Sequence, residues 1–360
     1  MAAVGSGHAL ARSASRRITS HDVAREAGVS QATVSIVLNG SPSRIRVSPA
    51  TRSRVLAAAE RLGYVPNHAA QSLRSRRTRS ITFINPAPDN PYFAEVVAGA
   101  QAAAEEAGYS IAVAAVPTRE AALHILWQLN AGTSDGVIVG SRDPAILTEL
   151  RAAIGRGVAA VALQFAGDAP LVPVVRADKE AGGYMATHHL IQLGHRRIAH
   201  LMDSEPYARH PAERSAGYRR ALAAAGITFE PAWLVAAPNS YAGGDAAIRA
   251  LLERPGQRPT AAFVFNDQMA IGALHALRRR GLRVPDDMAI VGFDGIALGA
   301  FTNPELTTVE QPRPDVGRRA VELIFDLLDG RVQLPHAVTL PLRLVVRESC
   351  GASKELGGAP

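Results

Sequence analysis

The pattern of apolar and polar positions along the chain changes near residue 80. Before that point the apolar residues are few and recur at helical spacing, whereas beyond it short apolar runs alternate with longer amphipathic segments. The first pattern predicts short helices, and the second predicts parallel strands covered by helices. The alternation continues for about 270 residues, which is more than one doubly wound sheet requires, so we expect two lobes there.

Within the alternating part, the strands are predicted from apolar runs of four to six residues. These runs are 81–84, 111–116, 136–139, 158–163, 198–202, 261–264 and 289–293. The helices are predicted from the amphipathic segments between them, at 93–108, 120–129, 183–193, 214–225 and 269–280.

The first part begins with a run at 18–40, ITSHDVAREAGVSQATVSIVLNG, that predicts two short helices joined by a tight turn. Ser20 can cap the first helix, and Gly28 supplies the positive φ that the turn requires. Ser30 can cap the second helix, whose apolar residues fall at helical spacing: Val34, Val37 and Leu38. Two such helices with a polar outer face form a helix-turn-helix.

A third helix is predicted after a loop that contains Pro and Arg. Ser48 and Pro49 favour its start, because Ser caps helices and Pro suits the first turn, and Gly63 ends it. The segment that follows, 66–79, contains a piece too short to be stable as an isolated helix, with Leu73 near the end of that piece.

The positive charge is concentrated in this helical part. Residues 1–79 contain thirteen arginines, no lysine and three acidic residues, a formal charge of +10, whereas the whole chain carries +7. A basic head on a nearly neutral body is the electrostatic pattern of a protein that binds a polyanion. The single cysteine, Cys350, excludes a disulfide framework. No apolar run is long enough to span a membrane and no signal peptide is evident, so we expect a cytoplasmic protein without a membrane partner.

Three tripeptides in fixed order characterise the helix-turn-helix further. They are Asp-Val-Ala at 22–24, Gly-Val-Ser at 28–30 and Thr-Val-Ser at 33–35, and Asn39-Gly40 ends the second helix. This run resembles the DNA-reading head of the lac repressor family of bacterial transcription regulators. The resemblance to that family, and through it to periplasmic sugar-binding proteins, covers roughly residues 18 to 349.

The resemblance implies a small all-α helix-turn-helix head plus an α/β two-lobed periplasmic-binding-protein-like body with parallel sheets. The implied divisions are a disordered tail, the head, a hinge helix with linker, the body and a second disordered tail, at 1–16, 17–65, 66–79, 80–350 and 351–360. Within the body, the first lobe would combine about 80–193 with 309–338, and the second about 194–308 with the last strand.

In the family, the second helix of the head enters the major groove and the hinge helix forms on DNA. The residues placed to contact base edges are Gln31, Ala32 and Ile36, and those placed to contact phosphates are Thr33, Ser35 and Asn39. Leu73 would be the wedge that opens the minor groove. Ile36 departs from the family, which commonly has an arginine there that reads guanine, so the usual operator core is in doubt at that base pair.

The resemblance also implies a cleft between the lobes that binds a small-molecule effector. The candidate residues lie at predicted strand ends and loops, where open α/β sheets bind ligands: Asp89, Tyr92, Phe93, Asp178, Arg214, Asn266, Asp267 and Asp294. The aromatic side chains can stack on a ring, and Arg214 and Asp294 offer hydrogen-bond donors and acceptors. The family's usual Asp-Asn is Asp178-Lys179 here, and Asn239 stands where an aromatic residue often lines the cleft. For each polar candidate, capping of the following helix is the alternative.

Enzyme chemistry is not indicated by the sequence. It contains no Gly-x-Ser-x-Gly, no P-loop and no His-Glu-x-x-His motif. His188 and His189 would point in different directions on a helix, and His195 matches a helix-to-strand turn of the family. We therefore predict neither a metal nor another cofactor.

The function implied is that of a homodimeric, ligand-controlled repressor of a palindromic double-stranded DNA operator. A carbohydrate is the commonest effector in the family. A nucleobase is an open alternative, because the runs 92–95 and 182–186 resemble purine-responsive members. Two other classes also stay open: a solute-binding protein, against which the lack of a signal peptide argues, and an architectural DNA binder without an effector.

Overall fold

The computed structural model describes residues 18–39, 46–65, 77–116, 118–129, 131–141, 143–163, 172–204, 209–332, 334 and 336–352, and of residues 39 and 209–212 the backbone alone. Leu73, most of the predicted hinge and most of the two predicted tails lie outside the described residues. The chain divides into two compact units, with the boundary between Thr78 and Arg79.

The first unit contains three helices around one small core. They are α1 (Ser20–Ala27), α2 (Gln31–Asn39) and α3 (Pro49–Arg61). Each helix contributes a valine to the core, Val23, Val34 and Val55, and all three are fully buried. Gly28 has a φ of 63°, as the predicted turn requires. The backbone N–H of Thr33 donates to Ser30 Oγ at 3.1 Å, so the predicted cap of α2 is confirmed.

The predicted cap of α1 is wrong by one residue. Thr19 is the N-cap, and its backbone N–H donates to Asp22 Oδ2 at 3.0 Å. A carboxylate at the third helical position satisfies the backbone of the cap residue, which fixes the helix start before Ser20. Ser20 is the first residue of α1, and its hydroxyl oxygen accepts a hydrogen bond from Gln31 Nε2 at 3.2 Å.

The second unit contains two six-stranded sheets in the described residues. The strands of the first sheet are β1 (Ser80–Asn85), β2 (Ser110–Ala115), β3 (Gly136–Val139), β4 (Ala159–Leu163), β5 (Val174–Ala177) and β11 (Ala337–Leu340). They lie in the order β11-β5-β4-β3-β1-β2, and all neighbours are parallel.

The second sheet repeats this arrangement. Its strands are β6 (Ile198–Asp203), β7 (Leu234–Ala237), β8 (Ala261–Val264), β9 (Ala289–Asp294), β10 (Thr307–Glu310) and β12 (Arg343–Val345). The order is β12-β10-β9-β8-β6-β7, and β12 is antiparallel to its neighbour whereas the other strands are parallel.

Helices cover both faces of each sheet, so each sheet forms one lobe with an apolar cluster on either side. The helices of the first lobe are α4 (Pro91–Glu106), α5 (Arg119–Leu129), α6 (Pro144–Gly155) and α11 (Arg313–Leu328). Those of the second lobe are α7 (Lys179–Gln192), α8 (Arg209–Ala224), α9 (Tyr241–Glu253) and α10 (Asp267–Arg279). The predicted fold class is confirmed.

All seven strands predicted from apolar runs are present, within one residue at each end. The predicted helix at 183–193 instead begins at Lys179, because the carboxylate of Asp178 accepts a hydrogen bond from the N–H of Ala181 at 2.9 Å and caps it. This helix, α7, packs on α8 and on the second sheet. The first segment of the first lobe therefore ends with β5 and not at residue 193.

Reciprocal glycines let three helix pairs approach closely. In the pair formed by α4 and α11, a Cβ on Gly99 would lie 2.0 Å from the carbonyl oxygen of Pro314, and one on Gly317 would lie 1.9 Å from that of Val96. The pair formed by α7 and α8 uses Gly183 and Gly217 in the same way, and the pair formed by α9 and α10 uses Gly244 and Gly272. Backbone atoms occupy the space where the side chains would be, so these positions accept no larger residue without a shift of a helix.

We predict that Gly317→Ala destabilises the second unit by about 1–3 kcal/mol, because the new methyl group would collide with backbone. Gly155→Ala is the matched control: nothing lies within 4 Å of a Cβ at Gly155, the last residue of α6. That change should be neutral or stabilising by up to about 1 kcal/mol. Urea unfolding of the full chain measures both midpoints, and equal shifts for the two variants would contradict the packing argument.

Candidate functional site

The outer face of α2 carries the side chains predicted to meet DNA. Gln31 and Ala32 are exposed, and Ser35 and Ile36 are half-buried. The opposite face, with Val34 and Val37, is buried in the core of the first unit. The division follows the helical period, so the residues predicted to contact bases share one accessible face.

Hydrogen bonds restrain polar side chains on this face. Gln31 donates through Nε2 to the hydroxyl of Ser20, which ties the start of α2 to the start of α1. The hydroxyl oxygens of Ser30 and Thr33 are 2.9 Å apart and hydrogen-bonded. The side chain of Asn39 and all of Leu73 lie outside the described residues.

A cleft of about 440 Å³ lies between the two lobes of the second unit. It is bordered by the carboxyl ends of parallel strands from both sheets, as expected for ligand sites in open α/β folds. On one side Pro86, Val116 and Gly140 follow β1, β2 and β3, and on the other Asp203 and Asp294 end β6 and β9. Ligand contacts from both lobes are therefore possible at one place.

Arg214 forms the centre of the wall contributed by the second lobe, and it is 4% exposed. Its Nη1 donates to the carbonyl oxygen of Phe265 at 2.6 Å, and its Nη2 lies 3.3 Å from Asp294 Oδ1. The guanidinium carbon stands 3.9 Å from the ring centre of Phe293 and 4.2 Å from that of Phe265. These contacts fix the plane of the guanidinium, while its Nε has no hydrogen-bond partner among the residues that the structure describes.

Asp294 faces Arg214 from the end of β9, with a φ of 111°. Its Oδ1 also accepts a hydrogen bond from Gln311 Nε2 at 2.6 Å. Burial raises the pKa of Asp294, and the charge of Arg214 and the hydrogen bond from Gln311 oppose this rise. The carboxylate is thus held in one orientation beside a fixed cation.

Arg313 connects the lobes next to this pair. It is the first residue of α11 in the first lobe, and its Nη1 donates to the carbonyl oxygen of Asp294 in the second. Its Nη2 lies 3.0 Å from Oε2 of Glu95, a residue of α4. Since α4 also carries Tyr92 and Phe93 into the cleft, both walls are fastened to one buried guanidinium.

The wall contributed by the first lobe combines two aromatic rings with an ion pair. Tyr92 and Phe93 line the cleft with their ring centres 5.2 Å apart and their planes nearly perpendicular. Arg119, the first residue of α5, places Nε 2.5 Å from Oδ2 of Asp143, which follows β3. The Asp143 carboxylate also caps α6, accepting from the N–H of Ala145 at 2.9 Å.

Five of the eight predicted effector residues line this cleft: Tyr92, Phe93, Arg214, Asn266 and Asp294. Asn266 also caps α10 through Oδ1, and its Nδ2 donates to Asn239, another lining residue. Both roles, cap and lining, are therefore combined in one side chain.

The other three predicted effector residues lie outside the cleft lining. Asp178 is exposed and caps α7. Asp89 meets the second lobe through its carbonyl oxygen, which accepts from Gln268 Nε2 at 3.4 Å. Asp267 is fully buried, and its two carboxylate oxygens accept from the N–H of Ile296 at 2.8 Å and the hydroxyl of Thr308 at 2.6 Å. Asp178 and Asp267 thus serve the fold, because their carboxylates already have partners within it.

Sequence reasoning missed several polar residues of the lining. They include Arg119, Asp143, Lys179 and Asp203. The rule that ligands bind at the carboxyl ends of parallel strands could have found Asp143 and Asp203, which follow or end β3 and β6. No sequence signal marked Arg119, because its position depends on how α5 packs on its sheet.

The three histidines for which the sequence predicts no metal site have separate partners. His189 Nε2 lies 3.3 Å from Cys350 Sγ, and His195 Nδ1 lies 2.9 Å from Thr260 Oγ1. His188 stacks on Tyr184. Over the described ranges, no group of His, Cys, Asp and Glu has the arrangement of a metal site.

None of the helices within the described ranges combines the length and apolar character needed to cross a bilayer.

Comparison with known proteins assigns both units. The model of bacterial regulatory proteins of the lacI family matches residues 19–67, and that of the periplasmic binding protein-like domain matches 187–350. Catabolite control protein A of Priestia megaterium is 35% identical over 335 residues, which cover 92% of this chain and 99% of that protein. This chain belongs to the lacI family of bacterial regulatory proteins. It is a DNA-binding transcriptional repressor and not an enzyme.

Solved structures agree over the same length. A complex of the transcriptional regulator CelR with cellobiose has a TM-score of 0.70 at 34% identity, covering 92% of this chain and 100% of that one. The lac repressor dimer bound to operator and the anti-inducer ONPF has a TM-score of 0.82 at 30% identity, covering 93% of this chain and 99% of that one.

We predict that the stability of the protein depends on pH through Asp267, which lies outside the cleft lining. Burial and the nearby charge of Asp294 raise the pKa of Asp267 to about 7, whereas the unfolded carboxyl titrates near 4. The folded protein therefore holds this proton more tightly. The resulting stability is fully present below about pH 4 and is lost as pH rises to about 7, by on the order of 4 kcal/mol.

Asp267→Asn removes this titration and keeps an oxygen that can accept from the N–H of Ile296. As pH rises from 4 to 7.5, the native protein should lose the stability that Asp267 contributes, whereas the variant should not. Urea unfolding at several pH values measures the unfolding free energy of both proteins. A difference that stays constant over that range would contradict the assignment.

Proposed function

We propose that the protein represses transcription in the bacterial cytoplasm as a homodimer that binds a palindromic double-stranded operator, under control of an uncharged sugar bound between its lobes. The observation that carries the effector half of this proposal is the cleft, in which both lobes present charged side chains that are already paired. The DNA half is supported by the accessible face of α2 and by the membership of the family.

On the DNA, each head reads one half-site with α2 in the major groove. Base contacts are proposed for Gln31, Ala32 and Ile36, and phosphate contacts for Thr33, Ser35 and Asn39. Leu73 is proposed as the minor-groove wedge at the operator centre. Two large apolar side chains support self-association of the body, because Phe301 is 83% exposed and Leu298, on the same short helical turn (Ala297–Phe301), is 46% exposed.

The charges of the cleft favour an uncharged ligand rich in hydroxyl groups. Among the described residues, the lining contains three cations and four carboxylates: Arg119, Lys179, Arg214, Glu120, Asp143, Asp203 and Asp294. A phosphorylated ligand would meet a net negative surface, whereas each hydroxyl can both accept from a guanidinium and donate to a carboxylate. The rings of Tyr92 and Phe93 add an apolar surface for a sugar ring.

Control of DNA binding requires the effector to bind two arrangements of the lobes with different affinity. Arg313 supports such coupling, because its contacts with Asp294 and Glu95 join both walls of the cleft. A change of the angle between the lobes alters these contacts.

The experiment that tests the effector class is a thermal-shift screen of the full chain with neutral sugars, sugar phosphates and purines. A ligand that binds the folded state raises the melting temperature by mass action. A neutral sugar should give the largest stabilisation. Stabilisation by a purine alone, or by no member of the panel, would contradict the sugar assignment.

We predict that Asp294→Asn weakens the response to the sugar found in that screen at least tenfold while leaving DNA affinity unchanged. The variant loses a charged acceptor in the cleft, worth about 1.5–3 kcal/mol in a hydrogen bond, and Asn tolerates the positive φ at this position. Asp287→Asn is the matched control, because Asp287 pairs with Arg283 on the surface of the same lobe. Gel shifts with increasing sugar measure the response, and an unchanged response would exclude Asp294 from the ligand site.

We predict that Ile36→Arg shifts operator preference towards guanine at one symmetric position of each half-site. Isoleucine offers an apolar surface suited to a thymine methyl, whereas a bidentate arginine–guanine pair is worth roughly 1–3 kcal/mol of discrimination. The added charge also raises affinity for any DNA, so the comparison must use ratios. Selection from a randomised palindromic library at one salt concentration decides it, and identical preferences would mean that residue 36 does not reach the bases.

A further inference from the structure

The ion pair of Arg119 and Asp143 lies in the cleft wall of the first lobe, opposite the pair of Arg214 and Asp294 in the second. Both pairs line the same 440 Å³ space. The Asp143 side chain is 11% exposed and that of Arg119 is 33% exposed. The pair thus combines a largely buried acceptor with a donor that is accessible from the cleft.

Local structure holds both members of this pair in place. Asp143 is the N-cap of α6, with Oδ1 on the N–H of Ala145, and its own N–H donates to Ser141 Oγ at 3.2 Å. Arg119 begins α5 immediately after the loop that follows β2. A surface ion pair with two mobile side chains contributes little, but a pair fixed by a helix cap needs less ordering to bind a ligand.

The arrangement matches the needs of neighbouring hydroxyl groups. An ionised carboxylate accepts up to about four hydrogen bonds. Within the described part of the chain Asp143 accepts two, from Ala145 and Arg119. A sugar hydroxyl can donate to this carboxylate while a second hydroxyl accepts from the guanidinium. The pair of Arg214 and Asp294 offers the same combination from the other side.

We infer that Arg119 and Asp143 form a second hydroxyl-binding pair, which makes the cleft specific for an uncharged sugar that carries hydroxyls on two opposite edges. This inference rests on the proposed function. A ligand that reaches both pairs gains contacts from the two lobes at once, so its binding favours one angle between them. A ligand that reaches only the second lobe gains no such preference.

The test uses the full chain and the neutral sugar that gives the largest thermal stabilisation among ribose, glucose, galactose, maltose and cellobiose. Asp143→Asn keeps an oxygen for the cap of α6 and removes the charge, and Arg119→Gln removes the donor charge. The matched control is Glu149→Gln, which breaks the ion pair of 2.7 Å between Glu149 on α6 and Arg156, the residue after that helix, outside the cleft. Calorimetry measures the dissociation constant, and the melting temperature without sugar shows that each variant is folded.

Each cleft variant should weaken sugar binding by about tenfold or more, since a hydrogen bond to a charged group is lost. The double variant should be little weaker than the worse single one, because the two side chains act as a unit. Monodeoxy analogues of the sugar distinguish a direct contact from a structural effect, because a variant that only alters the structure would not change the preference for one hydroxyl. At least one deoxygenation should weaken binding to the native protein and leave binding to Asp143→Asn unchanged.

The outcomes separate the inference from the proposed function. Sugar binding by the native protein with both variants within twofold of it would overturn the inference and leave the sugar-controlled repressor standing. The inference is also overturned if the variants weaken sugar binding but each deoxy analogue loses the same affinity for the variant as for the native protein. Failure of every sugar to bind would overturn both.

Discussion

A guanidinium and a carboxylate buried together at a cleft require charged and polar partners, because an unpaired buried charge is strongly destabilising. Arg214 finds them in Asp294, in the carbonyl oxygen of Phe265 and in two phenylalanine rings. Asp294 finds a further donor in Gln311. These partners come from the ends of β8 and β9 and from the chain after β10. The pair is therefore stable only when the second lobe is correctly assembled, and the lobe in turn presents it in one geometry.

The contacts of a second buried arginine join the two lobes. Arg313 belongs to a helix of the first lobe, yet its guanidinium binds the carbonyl oxygen of Asp294 and the carboxylate of Glu95. Glu95 lies on α4, one turn after Tyr92. Under the proposed function, a ligand bound between Asp294 and Tyr92 therefore lies next to contacts that change with the angle between the lobes. Under the proposed function, coupling needs no separate pathway, because the proposed ligand site and the contact between the lobes share residues.

The sequence predicted the elements whose pattern is local and missed what depends on packing. Apolar runs such as 261–264 gave the strands, because a strand buried on both faces is apolar throughout. The lobe to which α7 belongs could not be read from the chain, since two adjacent glycines interrupt a helical pattern. They serve packing instead: Gly183 lies against the backbone of α8, and Gly182 lies against Phe293 of the second sheet. In the cleft, strand-end residues such as Asp294 were predictable. Arg119 was not, because nothing local shows that the start of α5 faces the second lobe.

The head shows how affinity and specificity are divided under the proposed function. The formal charge of +10 over residues 1–79 attracts any DNA and carries no sequence information. Sequence must then be read by the accessible face of α2, where Gln31 alone among the proposed base contacts can form hydrogen bonds with a base, and Ser20 holds its amide. Ala32 and Ile36 can distinguish bases only through apolar contact with a thymine methyl. Because each head has so few residues that contact bases, discrimination between DNA sequences must come from repeating the half-site in a dimer and from the cost of deforming the operator centre.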